Sequence, residues 1–271
     1  MKTAQLDRYF SRIAYAGSRE PRLEVLHALT AAHTQHIPFE NLDVLLGRRI
    51  ELGFDALFDK LVERERGGYC FEQNGLFLEV LTTLGFDVTP LSARVRLDRP
   101  RDFIPARTHL CLRVMLDGIP WLTDVGVGGA SLTSAIRLEP DTEQETAHEP
   151  RRIVHEAGRF FHQWRLAAEW YDVYEFTGEI MPPIDREVGH WFTSTHPASH
   201  FKDRLIVARA GAQGRRYTLL NDAFKIREAD GRASLHMIES PQQLLALLEE
   251  HFGLRFDPGI RFGTSDAPWP R

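Results

Sequence analysis

Two cysteines, Cys70 and Cys111, are all that this 271-residue chain contains, and they form no Cys-x-x-Cys pair. With no His-Glu-x-x-His run either, neither a disulfide framework nor a zinc site is indicated, and each thiol is either reactive or simply buried. Long apolar runs are missing too. Nothing approaches the roughly 20 consecutive apolar residues of a membrane span, and the first helix-like segment is too charged for the apolar stretch of a secretory leader. A cytoplasmic protein without a membrane partner is expected. Lysine is scarce (Lys2, Lys60, Lys202 and Lys225), and the arginines are scattered. With 33 basic against 38 acidic residues, a net charge of -5 and no basic block, the chain does not look built for nucleic acid.

What is present suits a packed globular protein: 43% of residues are apolar and 26% charged, enough for a substantial core. The first 85 residues read mainly as helices. Leu6, Tyr9, Phe10 and Ile13 follow a helical period, as do Leu23, Leu26 and Leu29 after Pro21, and then Phe54, Leu57, Phe58, Leu61 and Val62. A further helix begins near Cys70, runs through Leu76, Phe77, Val80, Leu81 and Leu84, and stops at Gly85. From about Val88 the period shifts towards two, in strand-like runs at 91–97, 108–116, 121–125, 152–154, 159–167 and 171–176, which reads as a barrel-like β region. Residues 138–151, rich in Glu, Thr and Pro, read as a surface loop. A helix near 184–192, strands at 205–210 and 217–220, and a last helix with Ser240 as N-cap, Pro241 at N1 and Gln243 at N3 complete the pattern. The fold class is α+β. Three regions are expected: a helical domain 1–86 carrying Cys70, a β-barrel 87–190, and an α/β region 191–271.

Cys70 is the residue best placed for chemistry. A thiol carries acyl groups as the thiolate, and a cysteine in the first turn of a helix feels the positive end of the helix dipole. Gly67 and Gly68 before it permit a tight, open turn. Cys111, inside Leu110-Cys111-Leu112, reads as a small buried hydrophobe. A base is available in His109, at the start of the same strand, and an orienting carboxylate in Asp124, at the end of the next strand. A hairpin through Asp117-Gly118 would bring the two together. Spacing alone is weak support among twelve histidines, and Asp124 could equally be a turn residue. Gly126, Gly128 and Gly129 form either a plain turn or a loop whose amides approach a pyrophosphate or a thioester carbonyl. Glu40 and Arg66 make either a structural or a solvated ion pair. His196 and His200 are separated by Pro197 and lack further ligands, so no metal is assigned.

These residues together resemble an arylamine N-acetyltransferase. The most specific motif is Arg66-Gly67-Gly68-Tyr69-Cys70-Phe71-Glu72-Gln73-Asn74. Pro38-Phe39-Glu40-Asn41-Leu42, Thr108-His109-Leu110, Asp124-Val125-Gly126 and Ser194-Thr195-His196-Pro197 accompany it in family order, so that the resemblance runs to about Phe201. It implies a helical bundle, a β-barrel and an α/β lid around a papain-like Cys-His-Asp core made by Cys70, His109 and Asp124. It also implies ping-pong transfer from acetyl-CoA, as co-substrate, to an aromatic amine, hydrazine or N-hydroxyarylamine, with no tightly bound cofactor. Phe39 matches a position near the acceptor ring, where it either stacks on the amine or serves as core. Val127 stands where the family commonly has Phe, which bears on acceptor selectivity. Gly126, Gly128 and Gly129 are candidates for CoA contact. The competing readings are an amide synthase or transglutaminase-like thiol hydrolase with another donor, and a catalytically silent CoA-binding module.

Overall fold

The apolar spacing of the first 85 residues does produce helices in the computed structural model, which describes residues 1–264 and 267–269. Helix α1 (Thr3–Arg12) buries Leu6, Tyr9 and Phe10, and α2 (Leu23–His36) buries Val25, Leu26 and Leu29. A short strand β1 (Phe39–Glu40), helices α3 (Leu42–Leu45) and α4 (Phe54–Phe58) and a π-helical turn (Asp59–Glu63) lead to α5 (Cys70–Thr83). Helix α5 is apolar on more than one side and buries Phe71, Leu76, Phe77, Val80 and Leu81, which suits a helix packed on several sides. It stops where Gly85 takes φ +86° and Phe86 N donates to Leu81 O at 3.1 Å, closing the left-handed turn that the glycine predicts.

The β region is one antiparallel sheet of seven strands. These are β2 (Asp87–Val95), β3 (His109–Leu116), β4 (Ile119–Thr123), β5 (Ile136–Arg137), β6 (Arg151–Glu156), β7 (Arg159–Leu166) and β8 (Glu169–Ile180). They lie in the order β5-β4-β3-β2-β8-β7-β6. The β3–β4 hairpin turns at Asp117 and Gly118, both at positive φ (+50° and +77°), as a tight turn between right-twisted strands requires.

Residues 138–150 form the expected surface loop, largely exposed, and part of it also joins the two sheet edges. The Gln144 side chain exchanges hydrogen bonds with the backbone of Arg137 on β5, while its own backbone pairs with Arg151 on β6. Glu149 in the same segment is only 3% exposed. It accepts from Arg151 and from two arginines of a later sheet, so a polar composition here marks a buried ion cluster as well as solvent contact.

Helix α6 (Pro183–Thr195) follows and spans the point at which the expected second and third regions meet. Strands β9 (Ile206–Ala210), β10 (Arg216–Leu220), β11 (Ala223–Arg227) and β12 (Ala233–Met237) then form a second sheet, whose first member is β1 from the helical region, in the order β1-β9-β10-β11-β12. Phe39 pairs with Ala208 and Glu40 with Val207. Asn41 extends this junction: its amide donates to Phe201 O and Arg204 O, and its carbonyl accepts from Ile206 N. Helix α7 (Pro241–Phe252) covers the second sheet with Leu244, Leu248 and Phe252. Ser240 Oγ caps it by accepting from Gln243 N at 3.2 Å, but Gln243 Oε1 reaches back to Glu239 N and not to the N-cap amide.

Candidate active site

Cys70 is the first residue of α5, and the helix is anchored there by its own side chains. Gln73 Nε2 donates to Pro38 O at 2.7 Å and to Gly68 O at 3.2 Å, tying β1 and the glycine turn to the helix. Its Oε1 lies 2.6 Å from His33 Nε2, and Tyr9 OH lies 2.8 Å from His33 Nδ1. Burial lowers the His33 imidazole to about 4, so the ring is neutral and accepts from Tyr9 while donating to Gln73. A hydrogen-bond chain thus runs from α1 to the turn behind the nucleophile.

Asn74, one helical turn after Cys70, joins α5 to the barrel. Its Nδ2 donates to Leu110 O at 2.7 Å on β3 and to Asp124 Oδ1 at 2.8 Å, and its Oδ1 accepts from Val125 N at 3.0 Å. Asp124 directly follows β4, and its Oδ2 lies 2.6 Å from His109 Nε2. Gly126 N completes the set by donating to Asp124 Oδ1 at 2.9 Å. A side chain at Gly126 would place its Cβ 2.8 Å from the Cys70 Cα, so only glycine lets this strand end approach the helix so closely.

The three residues expected to act together therefore meet across α5, β3 and the end of β4. Cys70 Sγ donates to Thr108 O at 3.6 Å and interacts with the neighbouring imidazole. Burial works against a charged His109, but the Asp124 carboxylate, its hydrogen bond and the Cys70 thiol outweigh it and push the imidazole up to about 10. With Nε2 turned to Asp124, Nδ1 is the nitrogen available to the thiol. The Tyr174 ring packs on His109 with centroids 5.0 Å apart, a neighbour that the sequence reading missed.

The remaining expected residues surround this centre unequally. Phe39 meets Phe201 edge to face at 6.1 Å, and Phe201 meets Tyr69 at 5.5 Å, so aromatic rings gather beside the nucleophile. Gly128 faces Phe39, and Gly129 faces Thr218 on β10. Val127 is buried in the barrel cluster with Leu91, Cys111 and Leu122, and its backbone N donates to Ser131 Oγ. Cys111 is fully buried there, and burial pushes its thiol well above the ordinary value. Glu40 and Arg66 are buried and paired at 2.6 Å. His196 stacks on Phe192 at 4.6 Å and accepts from Ala198 N, a structural use. A cavity of about 980 Å³ opens on another face of α5, lined by Phe71, Gly75 and Glu79, and Cys70 does not line it.

Comparison with known proteins bears on the chain as a whole. The model of a family described as N-acetyltransferase matches residues 22–260. An arylamine N-acetyltransferase of Mycolicibacterium smegmatis is 43% identical over 91% of this chain and 90% of its own length. An arylamine N-acetyltransferase / N-hydroxyarylamine O-acetyltransferase of Salmonella typhimurium is 38% identical over 98% of this chain and 94% of its own. The structure of Mycobacterium marinum arylamine N-acetyltransferase in complex with CoA superimposes with a TM-score of 0.88 at 41% identity, covering 92% of each chain. With a family model spanning most of its length and relatives of this identity and coverage, the chain belongs to the arylamine N-acetyltransferase family.

Proposed function

We propose that this protein transfers the acetyl group of acetyl-CoA to arylamines, hydrazines or N-hydroxyarylamines through a thioester on Cys70. The observation that carries the reading is the 2.6 Å contact between His109 Nε2 and Asp124 Oδ2 beside a cysteine at a helix N-terminus. His109 takes the Cys70 proton on Nδ1, and the thiolate attacks the acetyl carbonyl. The carbon–sulfur bond to CoA breaks, and the imidazolium returns a proton to the departing CoA sulfur. The acceptor, whose lone pair is free at neutral pH, then attacks the Cys70 thioester. His109 removes the proton from the new amide nitrogen, or from the hydroxyl oxygen of an N-hydroxyarylamine, as the Cys70 sulfur leaves.

Phe39, with Phe201 behind it, offers an aromatic surface to the acceptor ring. Acceptor selectivity is assigned to Val127, which stands where a larger aromatic side chain is common, and Gly126, Gly128 and Gly129 are the candidates for CoA contact, Gly126 packing directly behind Cys70. Three regions, 1–86, 87–190 and 191–271, are the working division: nucleophile, base with its orienter, and lid. Among the described residues no helix is long and apolar enough to cross a membrane. A cytoplasmic location fits a CoA-dependent reaction.

Initial rates measured while both acetyl-CoA and an arylamine are varied test the scheme. Parallel double-reciprocal lines are expected for a free thioester enzyme. Intersecting lines would mean that both substrates bind before transfer, contradicting the two-step route.

A further inference from the structure

Beneath the nucleophile loop lie five buried charged side chains that the acyl-transfer chemistry does not use. Lys60 Nζ sits 2.6 Å from Glu72 Oε1 and 2.8 Å from Asp43 Oδ2, while Arg66 Nη2 sits 2.6 Å from Glu40 Oε1 and 3.2 Å from Asp43 Oδ1. Three carboxylates thus share two buried cations, with the exposed Arg48 3.5 Å from Asp43 at the edge. Glu72 is the one closest in sequence to the chemistry. Its Oε2 accepts from Tyr69 N at 3.1 Å, so it caps the first turn of α5 from a position two residues after Cys70. Gly68 makes room for it: a Cβ there would lie 2.7 Å from Glu72 Oε2.

This cap creates a conflict. The helix benefits from an acceptor at its first turn, yet a bare carboxylate in a dry site opposes a second negative charge on the neighbouring sulfur. Lys60 is placed to remove it. It projects from the π-helical turn Asp59–Glu63, an uncommon geometry that often marks functional positions, and its carbonyl accepts from Arg66 N at 3.0 Å. Burial opposes its charge, but Glu72, Glu40 and Asp43 more than compensate and keep the ammonium protonated.

We propose that Lys60 is a positioning residue for the acyl-transfer site: it neutralises the Glu72 carboxylate that caps α5, so that an acidic cap does not oppose the Cys70 thiolate. The inference rests on the reading of Cys70 as nucleophile. The charged and titratable groups facing Lys60 are Glu40 and Asp43 from the β1–α3 segment, Arg66 from the loop, Glu72 from α5 and His190 from α6. Those facing Cys70 are Tyr69, Cys111 and His109, with Asp124 behind the imidazole.

The test is the pH dependence of Cys70 alkylation by iodoacetamide in the wild type, Lys60→Met, Lys60→Arg, Glu72→Gln and the double variant Lys60→Met/Glu72→Gln. The probe reads the thiolate directly, so the result does not depend on whether acetyl-CoA is the donor. The alkylation midpoint is expected to rise by about one pH unit in Lys60→Met and to fall by about as much in Glu72→Gln, which removes the carboxylate charge while Lys60 keeps Asp43 as its partner. The double variant and Lys60→Arg should return to the wild-type midpoint. Loss of helix structure would move both single variants in the same direction, so shifts of like sign, or none, overturn the proposal. Should Lys60→Met fail to fold, Glu72→Gln and the double variant decide: a double variant that keeps the midpoint of Glu72→Gln overturns it equally.

Discussion

Asp124 accepts from Asn74 Nδ2 and Gly126 N on one oxygen and meets His109 Nε2 with the other, and this decides what an amide would do in its place. In Asp124→Asn the side-chain oxygen must face the two donors, which turns the amide NH₂ towards His109. Nε2 then has to accept, the ring proton moves to Nδ1, and the thiol loses its base. Acylation of Cys70 is therefore expected to slow by about 10³- to 10⁴-fold while the circular dichroism spectrum stays that of the wild type; acylation within tenfold of normal would remove Asp124 from the mechanism. Cys70, His109 and Asp124 were legible as candidates from position, but the residues that hold them were not. Asn74 and Gln73 stand inside the motif around Cys70, yet nothing in a single sequence distinguishes a helix glutamine that faces solvent from one that spans α5, His33 and Pro38. Val127 illustrates the reverse: a departure from the common residue is visible in the sequence, whereas its burial among Leu91, Cys111 and Leu122 is not.

At the scale of elements, legibility followed period and length. Helix α5 and helix α7 announce themselves through long apolar repeats and their stop or cap residues, Gly85 and Ser240. The β3–β4 hairpin does so through two apolar runs flanking Asp117-Gly118. Strand β1 has two residues and therefore no period, although its pairing with β9 is what brings Phe39 beside the second sheet. Strand β12, exposed along its whole length, lacks the alternation that a half-buried strand shows. The π-helical turn reads from sequence as a continuation of the Phe54–Val62 helix, because one extra residue in a turn scarcely disturbs a repeat of 3.6. Within the surface loop at 138–151, composition hides one buried carboxylate: Glu149 resembles its solvated neighbours until Arg151, Arg216 and Arg227 surround it.

For the whole molecule, opposite histidine shifts predict stability that falls on both sides of neutrality. Burial lowers His33 to about 4, and burial together with Arg216 lowers His148 to about 4. Burial also takes His162 well below its ordinary value. Their contributions are complete above the unfolded histidine value, roughly 6.5, and are lost as pH falls towards 4; His33 alone accounts for on the order of 3 kcal/mol. His109 runs the other way. Raised to about 10 by Asp124 against the effect of burial, it contributes fully below roughly 6.5 and progressively less as pH climbs through 10. The urea midpoint should therefore peak near pH 6.5, and Asp124→Asn should flatten the alkaline limb alone. A midpoint still rising at pH 9 would contradict this balance. The central claim, that Cys70 carries the acyl group, meets its most direct test in the intact mass of the protein after exposure to acetyl-CoA without any amine. One added acetyl group is predicted, mapped to the peptide holding Cys70, absent in Cys70→Ala and discharged when an arylamine is supplied. An unchanged mass, or an acetyl group that persists in Cys70→Ala, would contradict the account.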